Sequence, residues 1–394
     1  MVLRFAGVEL DLSAGELRRD GVPVATEPQV FALIALLAER PGALVSYDEI
    51  HRAIWGERIV SDAALASRLA AARRALGDDG QRQAVIQTVP RRGLRLRPVP
   101  ETAADGSGVQ EVRFARSRDG TRIAFATTGA GPGLLRAGHF LTHLELDWQS
   151  PVWRPLLDRL GSSFRVTRYD QRGTGLSDPD PPRRDIDALT DDLEAVADAA
   201  GLTRFPIFAA SQGVPVSLSF AARRPARVTA LVLYGGFVRG AELRTGSAGA
   251  ARSQAMRTLI REGWGRAGSA FATAFAALYM PDADAPQLAA MTRMQLASSS
   301  GESAVALRAA IDRIDVSGLL SEVRAPCLVI HAREDAVQPF SEARDLATGL
   351  SGAGLRVLDS RNHVPLPQDP AWEELVSESV RFLLGHHEGA VPRG

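Results

Sequence analysis

The chain of 394 residues contains no lysine: all 46 of its basic residues are arginine, set against 46 acids for a formal net charge of zero. No global field draws the whole molecule to nucleic acid or to an anionic membrane, so any such attraction must come from a local patch. Without lysine, a glycine-rich phosphate loop closed by Lys-Ser or Lys-Thr is excluded. The single cysteine, Cys327, excludes an intrachain disulfide and a cysteine-rich zinc site. It sits in the apolar run Pro326-Cys327-Leu328-Val329-Ile330, as a small buried hydrophobe would. No residues stand at metal-ligand spacing, and no cofactor is implied. Residues 1–12 alternate like a strand rather than forming a signal peptide, and no apolar run is long enough to cross a bilayer. These absences lead to the expectation of a cytoplasmic protein with no membrane partner. Hydrophobic content of 45% and charged content of 23% are those of an ordinary globular protein, with length for two or three domains.

One local patch is present. Residues 61–97 hold eight arginines against three acids, a surplus of five positive charges. Around it the punctuation is regular. Residues 2–12 and 16–24 read as short strands, and 27–40 carries apolar residues at helical spacing before Pro41-Gly42. Ser46, with Glu49 three residues on, reads as a capping box opening a second helix through Trp55. Ser61 or Asp62 caps a third helix running to Leu76 and ending at Gly77. Residues 85–89 and 94–97 then flank Pro90-Arg91-Arg92-Gly93 as a hairpin with two arginines at its tip. Strands, three helices and a terminal hairpin make an α+β winged helix.

The segments Leu44-Val45-Ser46, Trp55-Gly56, Val60-Ser61-Asp62-Ala63-Ala64-Leu65, Arg73-Arg74-Ala75-Leu76-Gly77-Asp78 and Thr88-Val89-Pro90-Arg91-Arg92-Gly93 resemble the OmpR/PhoB-type DNA-binding domain, particularly its CadC-like branch. Leu94 stands where that family usually has tyrosine. The resemblance implies double-stranded DNA as a partner, with the third helix in the major groove and the wing on phosphates or the minor groove. Leu65, Leu69, Ala72 and Leu76 form the inward stripe of that helix, which leaves Ala63, Ser67, Arg68 and Arg74 facing DNA, Arg68 being the best base reader. Arg91 and Arg92 would touch the backbone or minor groove. Such readers usually occupy paired half-sites, which implies a homodimer. The sequence shows neither a receiver domain nor a membrane helix beside this segment, so its signal is expected to arrive through the region beyond a polar linker at 98–111.

From 112 to 388 strand-like and helix-like stretches alternate, as in an α/β doubly wound, mostly parallel sheet. Central strands are expected near 134–135, 164–169, 205–209, 228–234, 327–331 and 355–358, with a helical insertion at 240–317. Ala209-Ala210-Ser211-Gln212-Gly213 lies between a strand and a helix, the setting of a nucleophile elbow. Asp335 and His363 follow later strands, so the order serine, acid, histidine is that of α/β-hydrolases. In that arrangement His363 serves as general base to Ser211 and Asp335 fixes its tautomer, with Glu334 the neighbouring alternative. The run Arg168-Tyr169-Asp170-Gln171-Arg172-Gly173-Thr174-Gly175-Leu176-Ser177-Asp178 resembles the post-strand loop of the same superfamily, where its role is structural. The insertion is where that family carries a helical cap. An oxyanion hole is expected from the backbone N–H of Gln212 and of His139, with Phe140 the other candidate for the second donor. Val214 is expected to narrow the site. Phe140, Trp264, Phe271, Phe275, Tyr279, Met280, Met291 and Met294 are candidates for an apolar ligand pocket, although the cap residues among them also suit a core of their own.

Three functions fit this reading: a transcription regulator whose hydrolase domain binds, with or without cleaving it, a small hydrophobic effector; a serine esterase or lactonase with an accessory DNA-binding domain; or a catalytically silent ligand sensor. Fold alone does not separate them.

Overall fold

The computed structural model of the chain describes every residue except 1, 6–7, 12–13, 20–21, 39, 41, 57, 59, 79, 81–82, 84, 91, 97–109, 245, 265–269 and 388–394. Two compact units divide it, Met1–Ser107 and Gly108–Gly394.

In the first unit, β1 (Val2–Phe5), β2 (Val8–Asp11), β3 (Glu16–Arg19) and β4 (Val22–Pro23) form an antiparallel sheet in chain order. The stretch expected as one strand over 2–12 is a hairpin, Phe5 pairing with Val8. Three helices follow, α1 (Pro28–Ala38), α2 (Tyr47–Trp55) and α3 (Asp62–Leu76), then the wing strands β6 (Ile86–Val89) and β7 (Gly93–Leu96). Ser46 and Glu49 exchange the reciprocal hydrogen bonds of a capping box at the start of α2, and Gly77 closes α3 in the left-handed conformation. A two-residue strand, β5 (Val45–Ser46), pairs with β7 and is too short to leave a periodic trace in sequence. Gly93 is required there: a Cβ would lie 2.0 Å from the Val45 carbonyl oxygen. Leu10, Leu33, Ile34, Val45, Ile50, Ile86 and Leu94 close a core from which solvent is excluded.

The second unit is built on eight strands: β8 (Val112–Arg116), β9 (Arg122–Thr128), β10 (Gly133–Arg136), β11 (Arg165–Tyr169), β12 (Phe205–Ala210), β13 (Val228–Tyr234), β14 (Cys327–Ala332) and β15 (Gly354–Leu358). Their order across the sheet is β15-β14-β13-β12-β10-β11-β9-β8. The six strands from β10 to β15 run parallel, and the unforeseen hairpin β8–β9 adds an antiparallel edge. Chain direction across the sheet reverses between β10 and β12, and open α/β sheets place ligands beyond the carboxyl ends of strands at such a switch point.

Helices α4 (Leu144–Gln149), α5 (Trp153–Gly161), α6 (Ile186–Ala199), α7 (Gly213–Arg223), α13 (Phe340–Gly349) and α14 (Trp372–Gly385) accompany the strands. Between β13 and β14 come α8 (Ala241–Arg244), α9 (Gly246–Gly263), α10 (Ala270–Tyr279), α11 (Ala285–Ser298), α12 (Gly301–Ile311) and a 3-10 turn (Ser317–Glu322). The central strands β12 and β13 are buried along their whole length, which is why they read as near-continuous apolar runs, broken only by Thr229, rather than alternating ones. The loop after β11 is held by Arg172, fully buried between Asp192 and Asp119 at 2.6 Å each. No helix among the described residues is long and apolar enough to cross a membrane.

Candidate active site and nucleic-acid interface

Ser211 sits at the carboxyl end of β12 with φ of +51°, a left-handed conformation that costs a non-glycine residue about 1–3 kcal/mol. Tight packing beneath the turn permits it. A Cβ on Gly213 would lie 2.9 Å from the Gly138 carbonyl oxygen and 3.2 Å from Ala137 Cβ. The turn is pinned by the Ser211 N–H donating to the Tyr234 carbonyl at 2.9 Å.

His363 Nε2 lies 2.9 Å from Ser211 Oγ, and its Nδ1 lies 2.7 Å from Asp335 Oδ2. The other carboxylate oxygen of Asp335 accepts from the backbone N–H groups of Val337 and Gln338 at 2.8 and 2.9 Å. Burial raises the Asp335 pKa, but the His363 imidazole and those donors outweigh it and hold the carboxyl below its ordinary value. An ionised Asp335 places the imidazole proton on Nδ1, so Nε2 presents its lone pair to the serine hydroxyl. Glu334, the neighbouring alternative, is exposed. The loop bearing His363 is tied to α10, since the N–H groups of His363 and Val364 both donate to the Tyr279 carbonyl, at 2.9 and 3.1 Å.

The residues expected to supply oxyanion donors flank the serine. Gln212 is buried, and its side-chain Nε2 donates to Gln171 Oε1 at 2.7 Å, anchoring the elbow to the loop after β11. Among the described residues none accepts from the backbone N–H of Gln212, His139 or Phe140. The His139 ring lies in the cavity wall against Trp153, ring centroids 4.7 Å apart. Burial and the neighbouring Arg136 guanidinium push the His139 pKa down to about 3, so the ring is neutral. Its Nε2, 2.8 Å from the Arg136 guanidinium, accepts, and Nδ1–H donates to the Phe140 carbonyl at 3.2 Å.

A cleft of about 410 Å³, open mouth included, lies over Ser211 and His363. Of the aromatic and methionine candidates, Phe140, Phe275, Tyr279 and Met291 line it. Trp264, Phe271, Met280 and Met294 do not. Trp264 packs edge-on against Phe275 at 5.9 Å and donates its indole N–H to the Ser299 carbonyl. Phe271 packs behind Phe275 at 5.8 Å, and Met294 is buried with its sulfur beside Ser298 Oγ. Trp264, Phe271 and Met294 form the second layer supporting the wall. Met291, three residues before Met294 on α11, shares the wall with Trp153 and Gln295, which the sequence reading did not offer. Val214 does not narrow it: its side chain packs on Gly236, where a Cβ would lie 2.5 Å away.

On the first unit, Ala63, Ser67 and Arg74 are exposed on α3, as is Arg92 at the wing. Arg91 lies outside the described residues. Arg68 is half-buried and already engaged, its Nε donating to Gln29 Oε1 at 3.0 Å and its NH1 paired with Glu27 at 2.8 Å. A guanidinium so held presents less of its fork to a base edge than an unpaired one. Arg73 turns inward, donating to the Ile86 carbonyl and Thr88 Oγ1, so part of the local positive surplus serves the fold.

Residues 21–96 match the family model described as "Transcriptional regulatory protein, C terminal", and 156–363 match "Serine aminopeptidase, S33". The chain is 31% identical over 238 residues to a putative carbamate hydrolase RutD of Rhizobium rhizogenes, covering 60% of this chain and 88% of that protein. Among solved structures, an esterase from Rhodococcus (TM-score 0.57, 24% identity) aligns with 70% of this chain and 99% of its own. An enol-lactonase from Burkholderia xenovorans (TM-score 0.52, 22% identity) aligns with 69% of this chain and 100% of its own. These two likenesses speak to fold. The chain belongs to the α/β-hydrolase family described as serine aminopeptidase S33, and at 21–96 it carries an OmpR/PhoB-type DNA-binding domain.

Proposed function

We propose that this protein is a transcriptional regulator whose hydrolase domain binds and hydrolyses a small, mostly apolar ester, lactone or carbamate, the signal to which its DNA reader responds. The observation that carries this is the unbroken hydrogen-bonded chain from Ser211 through His363 to Asp335, facing an apolar cleft. Its completeness favours turnover over a silent sensor. The DNA-binding domain favours regulation over metabolism alone.

In this reading Ser211 Oγ attacks the substrate carbonyl as His363 Nε2 takes its proton, and Asp335 stabilises the resulting imidazolium. The backbone N–H groups of Gln212 and of His139 or Phe140 receive the oxyanion. As the tetrahedral adduct collapses, His363 protonates the leaving oxygen or nitrogen. Water, deprotonated by the same imidazole, then releases the acid from Ser211. The neutral His139 adds no positive charge of its own beside the imidazolium. Phe140, Phe275, Tyr279 and Met291 hold the apolar part of the substrate.

The assignment takes 1–97 as the DNA reader, 98–111 as linker, 112–388 as the hydrolase and 240–317 as its cap. It places the protein in the cytoplasm, as a homodimer on paired half-sites, with ligand altering how the two readers are held. Such coupling requires the ligand to favour one arrangement. Fluorescence anisotropy tests it, comparing the DNA upstream of the protein's own gene with a scrambled sequence, before and after diisopropyl fluorophosphate treatment. The expected result is a preference of roughly 10³-fold or more for the upstream fragment, changed by the modification. Equal affinity for the two fragments would overturn the regulatory reading.

A further inference from the structure

The cleft is not uniformly apolar. Gln295 on α11 lines it and is 2% exposed, yet its Oε1 has no hydrogen-bond partner. Trp153, also in the lining and 2% exposed, carries an unpartnered indole N–H. Buried polar groups are normally paired, and an orphan amide beside a candidate nucleophile calls for an explanation other than packing. Packing would be served better by leucine or methionine. The other buried glutamine of the same helix is paired: Gln287 is bonded through both ends of its amide to Asp284 and Gln368. Of these two glutamines Gln287 is satisfied within the protein, and Gln295, in the cleft wall, is not.

We propose that Gln295 is the polar anchor of the ligand site and that the ligand's acyl portion carries a secondary amide. The inference rests on the Ser211 cleft being the ligand site. A glutamine amide offers an acceptor and a donor on one plane, and a peptide-like amide returns a donor and an acceptor. Gln295 is already out of water, so an amide-bearing ligand supplies the partner it lacks, whereas an apolar chain of the same length leaves it unpaired and is selected against. The preferred ligands are N-acylated amino-acid esters or lactones and their relatives, with the amide a few bonds from the carbonyl that Ser211 attacks. The Trp153 N–H supplies a further donor in the same wall.

The test is a pair of activated esters of matched chain length, p-nitrophenyl N-acetyl-β-alaninate and p-nitrophenyl hexanoate. The full-length protein is expected to favour the amide-bearing ester by about tenfold in kcat/KM, from one added hydrogen bond. In Gln295→Leu and Gln295→Met the ratio falls to about one. Both variants are expected to melt above the wild type without ligand, because an unpaired buried amide has been removed; a structural glutamine would give the opposite shift. A ratio of one in the wild type, or a ratio unchanged by either substitution, overturns the proposal. Calorimetric titration of both esters into Ser211→Ala protein reads the preference as a ratio of Kd without turnover. If neither ester is hydrolysed, the hydrolytic reading fails, while this ratio still decides the role of Gln295. No measurable binding of the amide ester at millimolar concentration also counts against it.

Discussion

Replacing Asp335 by asparagine tests the proton arrangement with the least change in shape. In the folded protein one oxygen of Asp335 receives two backbone N–H groups, from Val337 and Gln338, and the other faces His363 Nδ1 at 2.7 Å. An asparagine at 335 must keep its carbonyl oxygen toward the two backbone donors, because its NH₂ has nothing to donate to there. The NH₂ then faces Nδ1, which can only accept. The imidazole proton is forced onto Nε2, 2.9 Å from Ser211 Oγ, and the base becomes a donor toward the nucleophile. The same tautomer reversal in a serine-protease triad lowers kcat by about 10⁴, equivalent to about 5.5 kcal/mol at 1.36 kcal/mol per decade. We therefore expect kcat for a p-nitrophenyl ester to fall about four decades, while circular dichroism and the melting temperature stay near wild type because both backbone donors remain satisfied. A folded Asp335→Asn protein within tenfold of wild-type kcat would refute the reasoning, since His363 would not then depend on Asp335 for its tautomer.

Other consequences arise from the same structure. Arg74 and Arg92 are exposed on α3 and at the wing; changing either to alanine should weaken DNA binding about equally for specific and scrambled sequences and reduce the salt slope by about 1 for each phosphate left unneutralised. An unchanged slope in both would count against their phosphate role. Burial raises the pKa of Asp119, but its bonds to Arg172 and Thr121 prevail and lower it from 3.8 to about 2. The folded pKa lies below the unfolded one, so the stabilisation is present above about pH 4 and lost as pH falls toward 2. The melting-temperature gap between wild type and Asp119→Asn should narrow from pH 5 to pH 3, and a constant gap would contradict the pairing. Burial pushes the Cys327 thiol up to about 12, so iodoacetamide should label it only after denaturation. Labelling of the native protein would show that β14 opens.

The serine, acid and histidine were legible in the chain because each follows a strand in a fixed order, and the elbow advertises itself by small residues around Ser211. The capping box at Ser46 and the left-handed stop at Gly77 were equally plain, being local chemistry. Features that depend on approach in space were not. β5 is two residues long and exists because Gly93 lets β7 close on Val45. In the hairpin β8–β9 the edge strand β8 is mostly exposed, and the buried run Ile123-Ala124-Phe125-Ala126 of β9 is only four residues long. Met291 and Met294 stand on one helix three residues apart, and only packing against Phe275 and Tyr279 decides which meets the cleft. Arg68 pointed outward by helical phase, yet Glu27 just before α1 and Gln29 in its first turn reach it, 41 and 39 residues away in sequence. Gln295 belongs to no motif; only its burial without a partner marks it.

Whether Ser211 is activated is settled most directly by intact-mass measurement after fluorophosphonate treatment of wild-type and Ser211→Ala protein. The reagent forms a bond from serine Oγ to phosphorus with loss of fluoride, and it requires a hydroxyl whose proton a neighbouring base can take. The account predicts a single adduct on the wild type and none on Ser211→Ala. A folded wild-type protein that binds DNA and gains no adduct would contradict it.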